Sequence, residues 1–259
     1  MPAEQPAVAG LPGWRRHVWP IVAIVAATVA LLLGIYLAAL TRQATRRSAS
    51  LAAVATAAVW TALAAPIVAA GAKSWLGALL RGGAVADASL IALLVLWLHT
   101  PSDPGAGVPF VAVWKMYCML AVVALAGAAV TRLGTSEARR YALGVLAAGV
   151  GLALLATPFW VEGILQDSRY QQAYRTAALA QWWNPFYSLA AAMDFSWNYA
   201  SRMYNITGIG EDIPGPRVHW YTGVVRWGVA AAVLWCLAGL KAWLASRRNA
   251  ADLPAYRAR

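Results

Sequence analysis

Long apolar runs, separated by polar or turn-forming stretches, dominate this chain. Most of them are about 20 residues long, the length that a helix needs to cross the hydrocarbon core of a bilayer. We therefore predict an all-α fold, a polytopic membrane helix bundle with six transmembrane helices. The predicted spans cover about 17–40, 51–72, 87–99, 109–131, 141–160 and 221–244.

One long polar interval, residues 164–220, separates the fifth apolar run from the sixth. Within it, Asn184 followed by Pro185 indicates the start of a helix, because Asn caps helix N-termini and Pro is favoured at the first helical position. Apolar residues then recur at helical spacing over 186–204, but polar residues such as Asp194 interrupt them. We predict that this helix lies in the outer interface and does not cross the bilayer.

A second non-spanning helix is predicted between spans two and three. The segment AKSWLGALLRGG, residues 72–83, is too short to cross a bilayer, and its Trp75, Leu76 and Leu79 share one helical face. Span three then begins at Asp87, a favourable acid at a helix N-terminus.

The composition agrees with a membrane protein, since 61% of the residues are hydrophobic and only 12% are charged. Soluble domains carry about 25% charged residues. The net charge of +11 also suits a nucleic-acid-binding protein. However, the basic residues lie in small groups beside the apolar runs, as the positive-inside rule requires. We therefore predict contact with membrane lipid and no nucleic acid.

The positions of Lys and Arg also predict the orientation, with both termini in the cytoplasm. The residues that this orientation places inside are Arg15, Arg16, Lys73, Arg81, Arg132, Arg139, Arg140 and the basic residues of the tail. The first outer loop, with Arg42, Arg46 and Arg47, does not fit, and the sequence offers no local reason for it.

The predicted organisation is a single transmembrane domain over residues 1–259. It comprises a disordered N-terminus at 1–13, spans one to five at 17–163, outer interfacial helices at 164–220, span six at 221–245 and a cytoplasmic tail at 246–259.

This plan resembles the permease subunits of the type-2 ABC exporter (ABC-2) family. In that family a coupling helix after span two contacts the ATPase, and short re-entrant helices precede the last span. The segment 72–83 matches the coupling helix by position, and its candidate residues are Trp75, Leu76, Leu79 and Arg81. The run Asn184, Pro185, Phe186 and Tyr187 resembles the opening of the outer re-entrant helix.

The resemblance implies a homodimer or heterodimer of permeases in the bacterial cytoplasmic (inner) membrane, bound to a separate cytoplasmic ATP-binding subunit. The sequence AGAKS at 70–74 contains a Lys-Ser pair but lacks the glycine that precedes the lysine in a phosphate-binding loop. We therefore expect no catalytic residue and no cofactor in this chain.

Three ionisable residues are predicted to lie in the outer third of the bundle. Lys115 lies inside span four, Glu162 at the outer end of span five and Arg226 a turn or two into span six. Charged groups inside a membrane are costly and often functional, which makes these three candidates for an outer vestibule. In the alternative, Lys115 and Arg226 extend to the headgroups or hold the spans together.

Metal or haem binding has weaker support. His99 and His219 both fall near the predicted outer surface, where they could hold a haem or a metal ion. Met116, Cys118 and Met119 resemble a soft copper set, but Cys118 does not share their helical face, and core packing explains them better. Two alternatives to a permease stay open: a non-catalytic membrane anchor or scaffold subunit of a larger complex, and a haem- or metal-binding redox subunit.

Overall fold

The computed structural model describes residues 15–41, 46–99, 110–157, 182–193 and 219–256, together with Arg175 and Leu179. Seven helices make up most of this part of the chain. They are α1 (Arg15–Thr41), α2 (Arg46–Ala70), α3 (Trp75–His99), α4 (Phe110–Thr131), α5 (Glu137–Leu155), α6 (Pro185–Ala192) and α7 (Trp220–Tyr256).

Six of these helices are long and apolar enough to cross a membrane. The membrane-crossing stretches are Val18–Thr41, Ala52–Ala70, Trp75–Leu98, Phe110–Thr131, Glu137–Leu155 and Trp220–Arg247. No strand occurs among the described residues. The predicted fold class, an all-α polytopic membrane bundle, is therefore confirmed.

Span three is longer than predicted. It begins at Trp75 rather than at Asp87, so the separate interfacial helix predicted within 72–83 is not formed. Gly82 and Gly83 both lie inside α3. A Cβ atom built on Gly82 would lie only 2.8 Å from the Cβ of Ala128 in α4. Small residues allow membrane helices to approach closely, so Gly82 is a point of close contact between α3 and α4.

Other helix bounds also differ from the predictions. Because α2 begins at Arg46, two of the three arginines of the predicted first loop belong to a helix, and Arg42 lies outside the described residues. Helix α7 continues to Tyr256 and so includes most of the predicted tail. The predicted N-terminal segment 1–13 lies outside the described residues.

Helix α2 occupies the centre of the bundle and packs against α1, α3, α4 and α5. Many of its inward-facing residues are buried alanines. Pro66 lies inside α2, and glycines of two neighbouring helices pack against it. A Cβ atom on Gly127 of α4 would lie 3.2 Å from the Pro66 ring, and one on Gly144 of α5 would lie 3.1 Å from the Pro66 carbonyl oxygen. These small residues let three helix backbones meet at the proline.

The order of the helices defines two ends of the bundle. The basic end contains the turns at 71–74 and 132–136 and the C-terminal part of α7. The α6 end contains α6, the end of α5 and the starts of α4 and α7. The basic side chains described at the basic end are Lys73, Arg81, Arg132, Arg139, Arg140, Lys241 and Arg247, and the acidic side chain described there is Glu137.

Candidate functional site

Helix α6 begins at the predicted Asn-Pro restart. Asn184 has extended backbone geometry, with φ of −76° and ψ of 116°, and its Oδ1 accepts a hydrogen bond from the backbone N–H of Phe186 at 2.8 Å. Pro185 occupies the first helical position, where its missing N–H costs nothing. The predicted helix start is confirmed. The predicted length is wrong, because α6 ends at Ala192 with Met193 as its C-cap instead of continuing unbroken to residue 204. The residues after Met193 lie outside the description.

The side chain of Asn184 also fastens α6 to the end of α5. Asn184 is only 1% exposed, and its Nδ2 donates to the Thr157 hydroxyl oxygen at 2.7 Å and to the Leu155 carbonyl oxygen at 3.4 Å. The Thr157 hydroxyl in turn donates to the Leu154 carbonyl oxygen at 2.6 Å. Both amide hydrogens of Asn184 therefore have acceptors, as a buried amide requires.

Helix α6 is inserted between α4 and α7 rather than lying on their surface. Leu189 is fully buried, and Ser188 lies against Gly223 near the start of α7. A Cβ atom on Gly223 would also meet the Met119 sulfur of α4 at 3.4 Å. With 8 residues, α6 is about 12 Å long and cannot cross a bilayer. It fills the α6 end of the bundle instead.

Two tryptophans just before α6 are held by α7. The Arg226 guanidinium donates through Nη1 to the Trp182 carbonyl oxygen at 3.1 Å and lies 4.4 Å from the centre of the Trp182 ring. Trp227 donates through Nε1 to the Trp183 carbonyl oxygen at 3.2 Å, and the two indoles meet edge to face. The charge of Arg226 is thus placed on an aromatic ring, where a cation–π contact stabilises it.

Lys115 shows a similar contact, with its Nζ atom 5.6 Å from the centre of the Trp220 ring. Its predicted partner Glu162 lies outside the described residues, so the outer-vestibule set of Lys115, Glu162 and Arg226 stays a prediction. Lys115 and Arg226 are both half-buried, and each lies over a tryptophan at the α6 end.

Asp87 is the acidic residue that the sequence reading placed wrongly. It lies 12 positions after Trp75 in α3, about 18 Å from the start of the helix and therefore near the middle of the membrane. The Tyr117 hydroxyl of α4 donates to Asp87 Oδ1 at 2.8 Å. Asp87 is nevertheless exposed on the outside of the bundle. It was missed because the predicted span began at this residue, although the apolar pattern continues back to Trp75.

The coupling-helix candidates form the first turns of α3 at the basic end. The Trp75 ring packs against Trp235 of α7, with 5.1 Å between ring centres, whereas Leu76 and Leu79 are 65% and 42% exposed. The Arg81 guanidinium reaches back to the turn, since its Nη1 would lie 3.3 Å from a Cβ atom on Gly71. Trp75 therefore packs against α7, while the two leucines are free to meet lipid or another protein.

The structure describes the metal and haem candidates only in part. No group of three or more His, Cys, Asp or Glu residues that could hold a metal ion occurs within the described parts of the chain. His219 stacks on Tyr221, with 5.4 Å between ring centres, and the side chain of His99 lies outside the description. Met116 and Met119 are buried in the core, in agreement with the packing interpretation.

Comparisons of the chain with protein-family models, with curated proteins and with solved structures find no match. The family resemblance therefore stays a prediction, and the chain itself is a multi-pass membrane helix bundle.

Proposed function

We propose that this chain is an ABC-2-like permease subunit that moves a substrate across the bacterial cytoplasmic membrane with a separate ATPase. The observation that carries the proposal is the insertion of α6 between α4 and α7 at one end of a six-span bundle. A short helix seated there, opened by Asn184 and Pro185, is the arrangement that the family resemblance implies before the last span.

The proposed orientation places the basic end in the cytoplasm and the α6 end outside. The positive-inside rule supports this, because more of the described Lys and Arg side chains lie at the basic end than at the α6 end, which has Lys115 and Arg226. An ATP-binding subunit would dock at the basic end, where Leu76 and Leu79 are exposed.

Transport in this proposal requires α6 to have two positions. In the structure α6 is packed into the bundle, with Leu189 buried and Ser188 against Gly223. An outward-open state would separate these contacts. ATP binding can favour that state only by as much as the ATPase binds it more tightly than the closed one.

A second permease subunit is also part of the proposal. The Asp87 carboxylate is exposed near the middle of α3, where contact with lipid costs several kcal/mol. A second polypeptide packed over this surface would offer the carboxylate polar or buried surroundings, which supports a homodimer or heterodimer.

The test is the recovery of an ATPase with the full-length chain and the effect of α3 variants on it. We expect the tagged chain to copurify from its native membrane with a protein that contains a phosphate-binding loop and hydrolyses ATP. The double variant Leu76→Asp and Leu79→Asp should remove that protein, because two charges replace exposed apolar contacts. Trp75→Asp is a poorer test, since it also disrupts the packing with Trp235.

Leu98→Asp is the matched control, because Leu98 is 71% exposed on the same helix but at the opposite end of the bundle. It should leave the ATPase bound. Equal loss of the ATPase in both variants would contradict docking at the basic end. Recovery of stable partners without any ATPase would favour the membrane-anchor alternative.

A further inference from the structure

Two arginines converge on a single carbonyl group at the basic end. Arg132 Nη1 donates to the Ala72 carbonyl oxygen at 3.1 Å, and Arg140 Nη1 donates to the same oxygen at 2.7 Å. Arg132 follows the end of α4, Arg140 lies in the first turn of α5, and Ala72 belongs to the turn between α2 and α3. Four helix ends therefore bring two guanidinium groups together.

The positive charge of this pair is poorly compensated. Each guanidinium has five N–H donors, and the shared carbonyl accepts one from each. The Nε atoms of both arginines are buried without a hydrogen-bond partner among the described residues. Burial and the neighbouring charge of Arg140 lower the pKa of Arg132. Two like charges held close together favour an anion beside them.

Aromatic groups surround the same place. The Arg132 guanidinium lies 5.9 Å from the centre of the Trp75 ring, which packs on Trp235. The Tyr141 hydroxyl lies at the turn, since it would be 2.8 Å from a Cβ atom on Gly71. Trp and Tyr are enriched at the level of the lipid headgroups. The arginine pair thus lies where α3 enters and α4 leaves the membrane.

We propose that Arg132 and Arg140 bind the phosphate of an anionic phospholipid headgroup, of the phosphatidylglycerol class, between α3, α4 and α5. Guanidinium groups suit phosphate because their parallel N–H bonds match its oxygens. Basic sites between membrane helices are known to take such headgroups. The headgroup depth and the indole neighbours favour a lipid over an acidic segment of a soluble partner. The proposal does not depend on the transport function.

The experiment measures lipid binding to the purified full-length chain by native mass spectrometry, with phosphatidylglycerol and phosphatidylcholine of identical acyl chains. We expect the chain to bind phosphatidylglycerol about tenfold more tightly, the effect of one charged hydrogen-bond pair. Arg132→Gln and Arg140→Gln should each remove most of this preference.

Arg139→Gln is the matched control. Arg139 is adjacent to Arg140 in sequence, but it is exposed and donates to the Thr135 hydroxyl oxygen at 3.2 Å, away from Ala72. This variant should keep the preference for phosphatidylglycerol. An equal loss in Arg139→Gln and Arg140→Gln would overturn the site, because it would show a general effect of positive charge.

Two measurements on the unaltered chain keep the proposal testable even when a variant fails to fold. Equal affinity for the two lipids would overturn it. So would displacement of phosphatidylglycerol by millimolar inorganic phosphate, because that would show a site for a small free anion. Retention of the lipid in the presence of phosphate supports a headgroup held together with its acyl chains.

Discussion

At the scale of single residues, Asp87 lowers the stability of the isolated chain in a membrane. A carboxylate near the centre of a membrane helix costs roughly 2.5–3.5 kcal/mol on insertion scales, and the Tyr117 hydroxyl supplies one hydrogen bond toward that cost. The remaining oxygen lone pairs face the outside of the bundle, since Asp87 is exposed. Asp87 is therefore costly to the single chain in a membrane.

We predict that Asp87→Leu stabilises the isolated protomer by about 2 kcal/mol, because the lipid-facing charge is replaced by an apolar side chain. Reversible unfolding in mixed micelles measures this. Asp87→Glu keeps the charge and should lack the gain. A less stable Asp87→Leu protomer would show that the carboxylate contributes more to the bundle through Tyr117 than it costs.

Some features of single residues could be predicted from the sequence, and others could not. The cap formed by Asn184 follows from local chemistry, because Asn before Pro favours a helix start in almost any setting. The bonds from Asn184 to Thr157 and Leu155 could not be predicted, since they join residues that are far apart in the chain. Asp87 was misinterpreted because residues 72–83 were taken as a separate short helix, whereas they are continuous with span three in α3.

At the scale of secondary-structure elements, the position of α6 depends on one glycine of α7, Gly223. A Cβ atom on Gly223 would clash with Ser188 Oγ and would lie 2.7 Å from Ser188 Cβ, so α6 cannot keep its position beside a larger residue. The sequence does not reveal this requirement, because Gly223 looks like any small residue in an apolar helix. The close contact with Ser188 arises only when α6 is inserted beside α7.

We predict that Gly223→Ala destabilises the protein by roughly 1–3 kcal/mol, the usual cost of overpacking a core. The shift of α6 should also make a cysteine placed at Leu189 reactive toward a maleimide. Thermal unfolding and the labelling rate measure the two effects.

Gly34→Ala in α1 is the control, since a Cβ atom at Gly34 meets nothing within 4 Å. It should be neutral or slightly stabilising, because Ala has the higher helix propensity. Equal effects of the two substitutions would show that Ser188 does not press on α7. In the double variant Gly223→Ala and Ser188→Gly, stability should return toward that of the unaltered chain.

At the scale of the whole molecule, the number of spans and the class of fold were readable from the sequence, because hydrophobic length alone determines them. Which helices pack against one another could not be predicted from the sequence. Helix α2 lies at the centre because its alanines and the glycines of α4 and α5 let the helix backbones approach around Pro66. Each such contact depends on residues of two helices, which the sequence of either helix alone does not reveal.

We predict that the basic end faces the cytoplasm. Single cysteines at Ser74 and Thr135, both exposed turn positions at that end, should react with a membrane-impermeant maleimide only after the cells are permeabilised. A cysteine at His219, exposed at the α6 end, should react in intact cells. The background carries Cys118→Ala and Cys236→Ala, since both cysteines are free thiols. The reverse labelling pattern would reject the permease orientation while leaving the six-span fold intact.

The packing of α6 against α7 has a consequence for biosynthesis. The ribosome delivers α4 and α5 before α6, but Gly223 and the rest of α7 arrive last. Until then Ser188 and Leu189 lack the neighbour that covers one side of them, and a helix of 8 residues has little stability of its own. The entry of α7 into the membrane is therefore also the step that closes the α6 end. A chain that stops before Trp220 would lack the α7 surface on which Ser188 packs.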